Sequence, residues 1–177
     1  HLSLSRSCQP FALESLNQAD QDHIFNSFIV ANGFKFFSDY RILNLTSKAF
    51  DINLLERKDL KHLEYIAANL SHWIPDHKPV LIHGDLWRGN VHCDRNGNPA
   101  LVDPAVYWGW AEADLAMTKL FGGFDQQFYE SYESCSNIDN EWQKRAPIYN
   151  LYHLLNHLIL FGSSYLLQIR ANIKKFL

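Results

Sequence analysis

The tightest constraint on this chain is a pair of short runs, Val91-His92-Cys93 and Ala100-Leu101-Val102, separated by Asp-Arg-Asn-Gly-Asn-Pro. Asn-Gly between two such runs is a strong hairpin signal, because both residues enter the left-handed turn region at low cost. An antiparallel hairpin sets the start of its first strand beside the end of its second. Asn90 precedes the first run and Asp103 follows the second, so both fall at one end of the hairpin. Upstream, Val80, Leu81 and Ile82 predict a short buried strand running into His83-Gly84-Asp85. The spacing therefore brings Asp85, Asn90 and Asp103 together in a loop relieved by glycines. Two carboxylates and a carboxamide make an oxygen-rich set suited to Mg²⁺. A carboxylate left outside the metal shell can take a proton from a hydroxyl. The plainer alternative is a turn in which Asp85 and Asn90 satisfy their own backbone.

The rest of the chain predicts helices. Residues 20 to 37 show a rough helical period interrupted by Gly33, and residues 54 to 74 carry the stripe Leu60, Leu63, Ile66, Ala67, Leu70 and Ile74. Asn53 is placed to cap the start of that second helix and Pro75 to end it. Residues 112 to 121 form a helix closed by Gly122 and Gly123, residues 125 to 132 another, and residues 147 to 170 a long one with Pro147 in its first turn. The expected fold class is mainly α with small β-hairpins, an α+β arrangement.

Composition narrows the partners. A chain of 177 residues with 47% hydrophobic and 20% charged residues can bury one core. The net charge of -3, with no basic run beyond Lys174-Lys175, argues against nucleic acid or a membrane surface as the main partner. The segment 151 to 167 holds His153, Asn156 and His157, too polar for a membrane span. Cys8, Cys93 and Cys135 are odd in number and far apart, which gives no disulfide framework and favours a reducing cytoplasm. The N-terminus has no secretory pattern.

His83-x-Asp85-x-x-x-x-Asn90 has the spacing of the kinase catalytic loop, in which Asp is the base and Asn holds Mg²⁺. With "HGDLWRGN", "VDPAVYWG", "EADLAMTKLFGGF" and "LYHLLNHLILFG", the chain resembles the fructosamine/ketosamine-3-kinase family over about residues 50 to 168. That family lies among the aminoglycoside-phosphotransferase-like kinases. The resemblance implies the C-lobe of a protein-kinase-like fold spanning 1–177, with catalytic loop 83–90, hairpin 91–102, metal-binding Asp103 and a helical remainder over 112–170. It implies ATP and Mg²⁺, and phosphoryl transfer to the 3-hydroxyl of a ketosamine such as a ribulosamine or fructosamine, free or protein-bound. Asp85 would be the base, Asn90 and Asp103 the metal ligands, and Asp114 a brace for the loop.

Two departures stand out. Trp110 and Ala111 occupy positions where many members carry polar residues. No two glycines form a GxG turn, and none of Lys35, Lys48, Lys58, Lys61 and Lys78 lies in a Val-Ala-x-Lys strand. The only methionine is Met117, so the chain has no initiator. The expectation is a C-lobe whose N-lobe is missing, not a competent kinase alone, with an apolar patch left open near the loop.

Other residues divide between chemistry and packing. Trp87 reads as a platform for a sugar or alkylamine, or as a packing residue. His83 reads as a brace behind the loop, Arg88 as a solvated charge, and Cys93 as packing. His153, Asn156 and His157 form one polar stripe, either satisfied core polars or a substrate wall, with His157 the better substrate contact. His83, Asp85, His92 and Asp103 also permit a Zn²⁺ or Fe²⁺ hydrolase. Another small-molecule kinase of the aminoglycoside or choline kinase type, or a non-catalytic kinase-like binding module, completes the alternatives.

Overall fold

The computed structural model describes residues 32–136 and 138–177, which fall into two compact units. The expectation for residues 20 to 31 lies outside the described residues.

The unit that carries Lys78–Trp142 holds both sheets. Strand β1 (Val80–Ile82) and strands β2 (Val91–Cys93) and β3 (Pro99–Leu101) are where the sequence places them, within a residue. β2 and β3 pair antiparallel, with Val91 opposite Leu101 and Cys93 opposite Pro99. Asp94 closes the turn between them, its Oδ1 accepting the Asn96 and Asn98 amides at 2.8 Å each, while Gly97 takes φ 81°. β1 pairs instead with an unforeseen strand, β4 (Tyr107–Gly109), setting Ile82 opposite Tyr107. Three residues are too few for a period-2 pattern to show. Burial also departs from expectation: Ile82 is buried but Val80 is exposed, and Cys93 is exposed rather than packed.

Helix α4 (Ala111–Leu120) follows, buried from Glu112 to Thr118, and ends where Gly122 and Gly123 turn left-handed. Asp125 caps α5 (Gln126–Cys135) by accepting the Phe128 amide at 3.0 Å. The Tyr129 ring stacks on Trp142, and its hydroxyl meets Thr118 Oγ1 and the Phe124 amide.

The other unit, residues 32–77 with 143–177, is helical. Asn32 caps α1 (Gly33–Phe36), which runs through a π-helical segment, Phe37–Leu43, into α2 (Asn44–Asp51). Asn53 does not cap the next helix. It sits at φ 59°, the Asn53 amide donating to Phe50 O and the Leu54 amide to Ala49 O, so it closes α2 in a Schellman turn. Asn suits both jobs, because it tolerates the left-handed region and also accepts at helix starts. α3 (Arg57–Ala68) starts with Asp59 accepting the Glu56 amide at 3.0 Å. It buries Leu63, Ile66 and Ala67, and a 3₁₀ turn (Leu70–His72) carries the chain on to Pro75.

Pro147 falls inside α6 (Trp142–Phe161), not in its first turn, and Gly162 at φ 87° ends the helix well short of residue 170. A proline there deprives the Gln143 carbonyl of its helical donor. Gln143 itself is exposed. A 3₁₀ turn (Ser163–Tyr165) then leads into α7 (Leu166–Ile173). Arg170 ties α7 to α3 by donating to both Asp59 oxygens at 2.9 and 2.7 Å and to Glu56 at 2.6 Å. Burial alone would raise the Asp59 carboxyl, but Arg170 and the Glu56 amide outweigh it and hold it below the usual carboxylate range. Among the described residues no helix is long and apolar enough to cross a membrane.

His153 on α6 is buried, and the burial, with the Arg41 charge and His157 adding, depresses it to about 3. Arg41 itself donates to the Tyr152 hydroxyl at 2.7 Å. A native state that keeps His153 neutral loses stability as pH falls from about 6.5 toward 3, since only the unfolded chain takes the proton. Between pH 7 and 5 the loss is on the order of 2 kcal/mol. Urea midpoints at the two pH values check this, and His153→Gln is expected to flatten the difference.

Candidate active site

Asp114, on the second half-turn of α4, is buried and points its carboxylate at the end of β1. Oδ2 accepts the His83 amide at 2.7 Å and Oδ1 the Gly84 amide at 2.8 Å. Burial pushes its carboxyl up, and the two amides pull it partly back. On the other side, the Ala105 amide donates to the His83 carbonyl at 2.8 Å. Gly84 takes φ 79°, and a Cβ there would lie 2.1 Å from the Ala105 carbonyl oxygen. Only glycine fits, which is a role the sequence reading did not assign.

The His83 ring is used twice. Nε2 lies 3.1 Å from the Val102 carbonyl, and Nδ1 lies 3.4 Å from the Asp85 amide. A carbonyl only accepts and an amide only donates, so the partners select the tautomer protonated on Nε2. Both nitrogens are then committed to backbone. The ring ties the strand end to the loop and to Val102, and neither nitrogen is left for a metal ion.

Asn90 ends a 3₁₀ turn (Arg88–Asn90) and is buried. Its Nδ2 donates to the Asp85 carbonyl at 2.9 Å and to Asp85 Oδ2 at 3.1 Å. Its own carbonyl accepts the Val102 amide at 3.0 Å, which pins the end of the hairpin to the loop. Asp103 sits between that pin and the Ala105 pin, exposed, at φ 51°. Asp tolerates this left-handed conformation better than most residues. The backbone thus brings Asp85, Asn90 and Asp103 to one place. Among the described residues no three His, Cys, Asp or Glu side chains group as a metal site by themselves. A few oxygens, completed by phosphate and water, fit Mg²⁺. Asn90 Nδ2 serves both Asp85 acceptors, which leaves Oδ1 as the atom of its carboxamide that could serve a cation.

Trp87 is 38% exposed, its indole lying across Gly89, where a Cβ would come within 2.3 Å of the ring. The edge of Phe121 meets it at 6.3 Å. Gly89 was another unassigned glycine, signalled by its place two residues after a tryptophan. Arg88 is exposed, as expected of a loop charge. His157 belongs to the other unit, where its Nδ1 lies 2.7 Å from the His153 carbonyl and its ring sits beside Phe161 and Tyr165.

The profile of the fructosamine kinase family matches residues 7–177. The chain belongs to that family. A "probable ketoamine kinase" from Vibrio vulnificus is 40% identical over 169 residues, covering 89% of this chain and 56% of the relative. A chloroplastic protein-ribulosamine 3-kinase from Oryza sativa is 36% identical, over 76% of this chain and 40% of the relative. A crystal structure of a provisionally named fructosamine-3-kinase from Thermobifida fusca superposes with a TM-score of 0.74 at 32% identity, over 80% of this chain and 50% of that one. This family member spans about half the length of the relatives it matches.

Asp114→Asn tests the clamp. An amide offers one acceptor oxygen to two N–H groups and turns a donor toward the second, a cost of about 1–3 kcal/mol. Denaturant unfolding is expected to show that loss; an unchanged midpoint contradicts the clamp.

Proposed function

We propose that the chain carries the catalytic half of an ATP-dependent ketosamine 3-kinase, built as the C-lobe of a protein-kinase-like fold. The observation that carries the reading is the Asn90 side chain, which holds one oxygen of the Asp85 carboxylate while facing the same end of the hairpin as Asp103. With Oδ2 held by Asn90, Asp85 Oδ1 takes the proton of the acceptor hydroxyl. The hydroxyl oxygen forms a bond to the γ-phosphorus, the bond to the β-bridging oxygen breaks, and ADP leaves. Asn90 Oδ1 and the Asp103 carboxylate would hold Mg²⁺, which when bound neutralises charge on the phosphates. The acceptor class follows the family and the name of the rice relative: the 3-hydroxyl of a ribulosamine or fructosamine, free or on a protein lysine. Trp87 offers its indole as a sugar platform. The glycine-rich cover and strand lysine that grip ATP would come from the remainder of a full-length member.

The decisive assay uses a full-length protein with ATP, Mg²⁺ and a ribulosamine. Asp85→Asn keeps the shape but removes the acceptor, and kcat is expected to fall roughly 10²–10⁴-fold. A rate within about threefold of the parent removes Asp85 from the chemistry. Asp103→Asn preserves the left-handed turn but not the charge, so nucleotide affinity should lose its dependence on Mg²⁺ while the melting temperature holds.

Trp87→Ala is expected to raise KM for the ribulosamine and leave KM for ATP in place. Equal damage to both would mean that the ring only packs against Gly89.

A further inference from the structure

A cleft of about 470 Å³ opens in the helical unit, between the π segment with α2 on one side and α3 on the other. Its apolar surface comes from Leu43, Phe50 and Leu60, and its polar groups include Thr46, Ser47 and Glu64. Thr46 has no exposed surface, and among the described residues its Oγ1 has no hydrogen-bond partner. A threonine inside a helix ordinarily returns its hydroxyl to a carbonyl one turn back. Here the helix changes from π to α register three residues before Thr46, and that bond is not made. Buried hydroxyls are rarely left orphaned, and π segments recur at functional sites. Glu64 stands exposed at the rim, and among the described residues its carboxylate has neither an ion pair nor a hydrogen bond. Apolar walls with a few convergent polar groups are the usual make-up of a small-molecule site.

We infer that this cleft binds a small hydroxylated arylalkylamine or amino alcohol. Its ammonium meets the Glu64 carboxylate, its apolar body lies on Leu43, Phe50 and Leu60, and its hydroxyl reaches Thr46. The two polar ends ask for different partners: a carboxylate at the rim selects a cation, and an orphaned hydroxyl at depth selects a neutral donor or acceptor. The inference is independent of the phosphotransfer reading, since none of these residues belongs to the candidate active site.

The probe is tyramine, titrated by calorimetry and by amide chemical shifts. Saturable binding is expected, about tenfold weaker for 2-phenylethylamine, which lacks the hydroxyl, and weaker still for the anion 4-hydroxyphenylacetate. Glu64→Gln should weaken tyramine about tenfold, the size of one charge-assisted bond. Thr46→Val should bring tyramine to the affinity of 2-phenylethylamine while raising the melting temperature of the free protein, because an orphaned hydroxyl becomes a methyl. Ala68→Trp, on the exposed end of α3 and lining the cleft, should block all three ligands without unfolding the chain. Binding that survives Ala68→Trp, no preference for the cation, or no saturable binding of tyramine in the millimolar range would each overturn the inference.

Discussion

The carboxylate of Asp114 receives two backbone amides from consecutive residues, His83 and Gly84, inside a region that water does not reach. A bond of this kind is strong in low dielectric and expensive to leave half-made. It fixes the plane of the His83–Gly84 peptide, and with it the direction in which Asp85 leaves the strand. The Ala105 amide fixes the same peptide from the opposite side. Gly84 can lie between the two only because it has no side chain. Asp103 is then carried to the loop by chain connectivity, two residues before that second anchor.

Labour is divided cleanly between backbone and side chains. The loop is held by the amides and carbonyls of His83, Gly84, Asn90, Val102 and Ala105, with the Asp114 carboxylate, the His83 ring and the Asn90 carboxamide as the side chains spent on support. Among the described residues, the Asn90 bond to Asp85 Oδ2 is the hydrogen bond that engages the Asp85 and Asp103 carboxylates, so most of their acceptor capacity is not spent on the fold. Asn90 does both jobs. Its nitrogen orients the Asp85 carboxylate, and on the proposed reading its oxygen would serve the cation, so replacing it would disturb base and metal together. Single substitutions at Asp85, Asn90 and Asp103 are accordingly not additive.

What the sequence disclosed depended on how local the signal was. The Asn-Gly turn set the β2–β3 register, and from that register alone the meeting of Asn90 and Asp103 followed. The pairing of β1 with β4 was not legible, because its partner arrives twenty-five residues later and is only three residues long. Asn53 misled because helix starts and left-handed helix ends favour the same residue. Pro147 misled because a proline in the second turn removes only one hydrogen bond of the helical ladder, which a twenty-residue helix tolerates. Gly84 and Gly89 were visible as glycines, but their reasons were a carbonyl and an indole folded onto them. No periodicity reports such contacts.

The two strand pairs differ in how they are seated. β1–β4 places Ile82 and Tyr107 in the core, whereas no residue of β2 or β3 is buried. A hairpin held by its turn and its ladder, with little apolar cover, opens at lower free energy than a pair rooted in packing. Amide hydrogens of Val91 and Leu101 should therefore exchange faster than those of Ile82 and Tyr107. By the same argument the arm that delivers Asp103 should open more readily than the floor beneath Asp85. On the proposed reading, the group offered to the cation would sit on the looser arm and the base on the firmer floor.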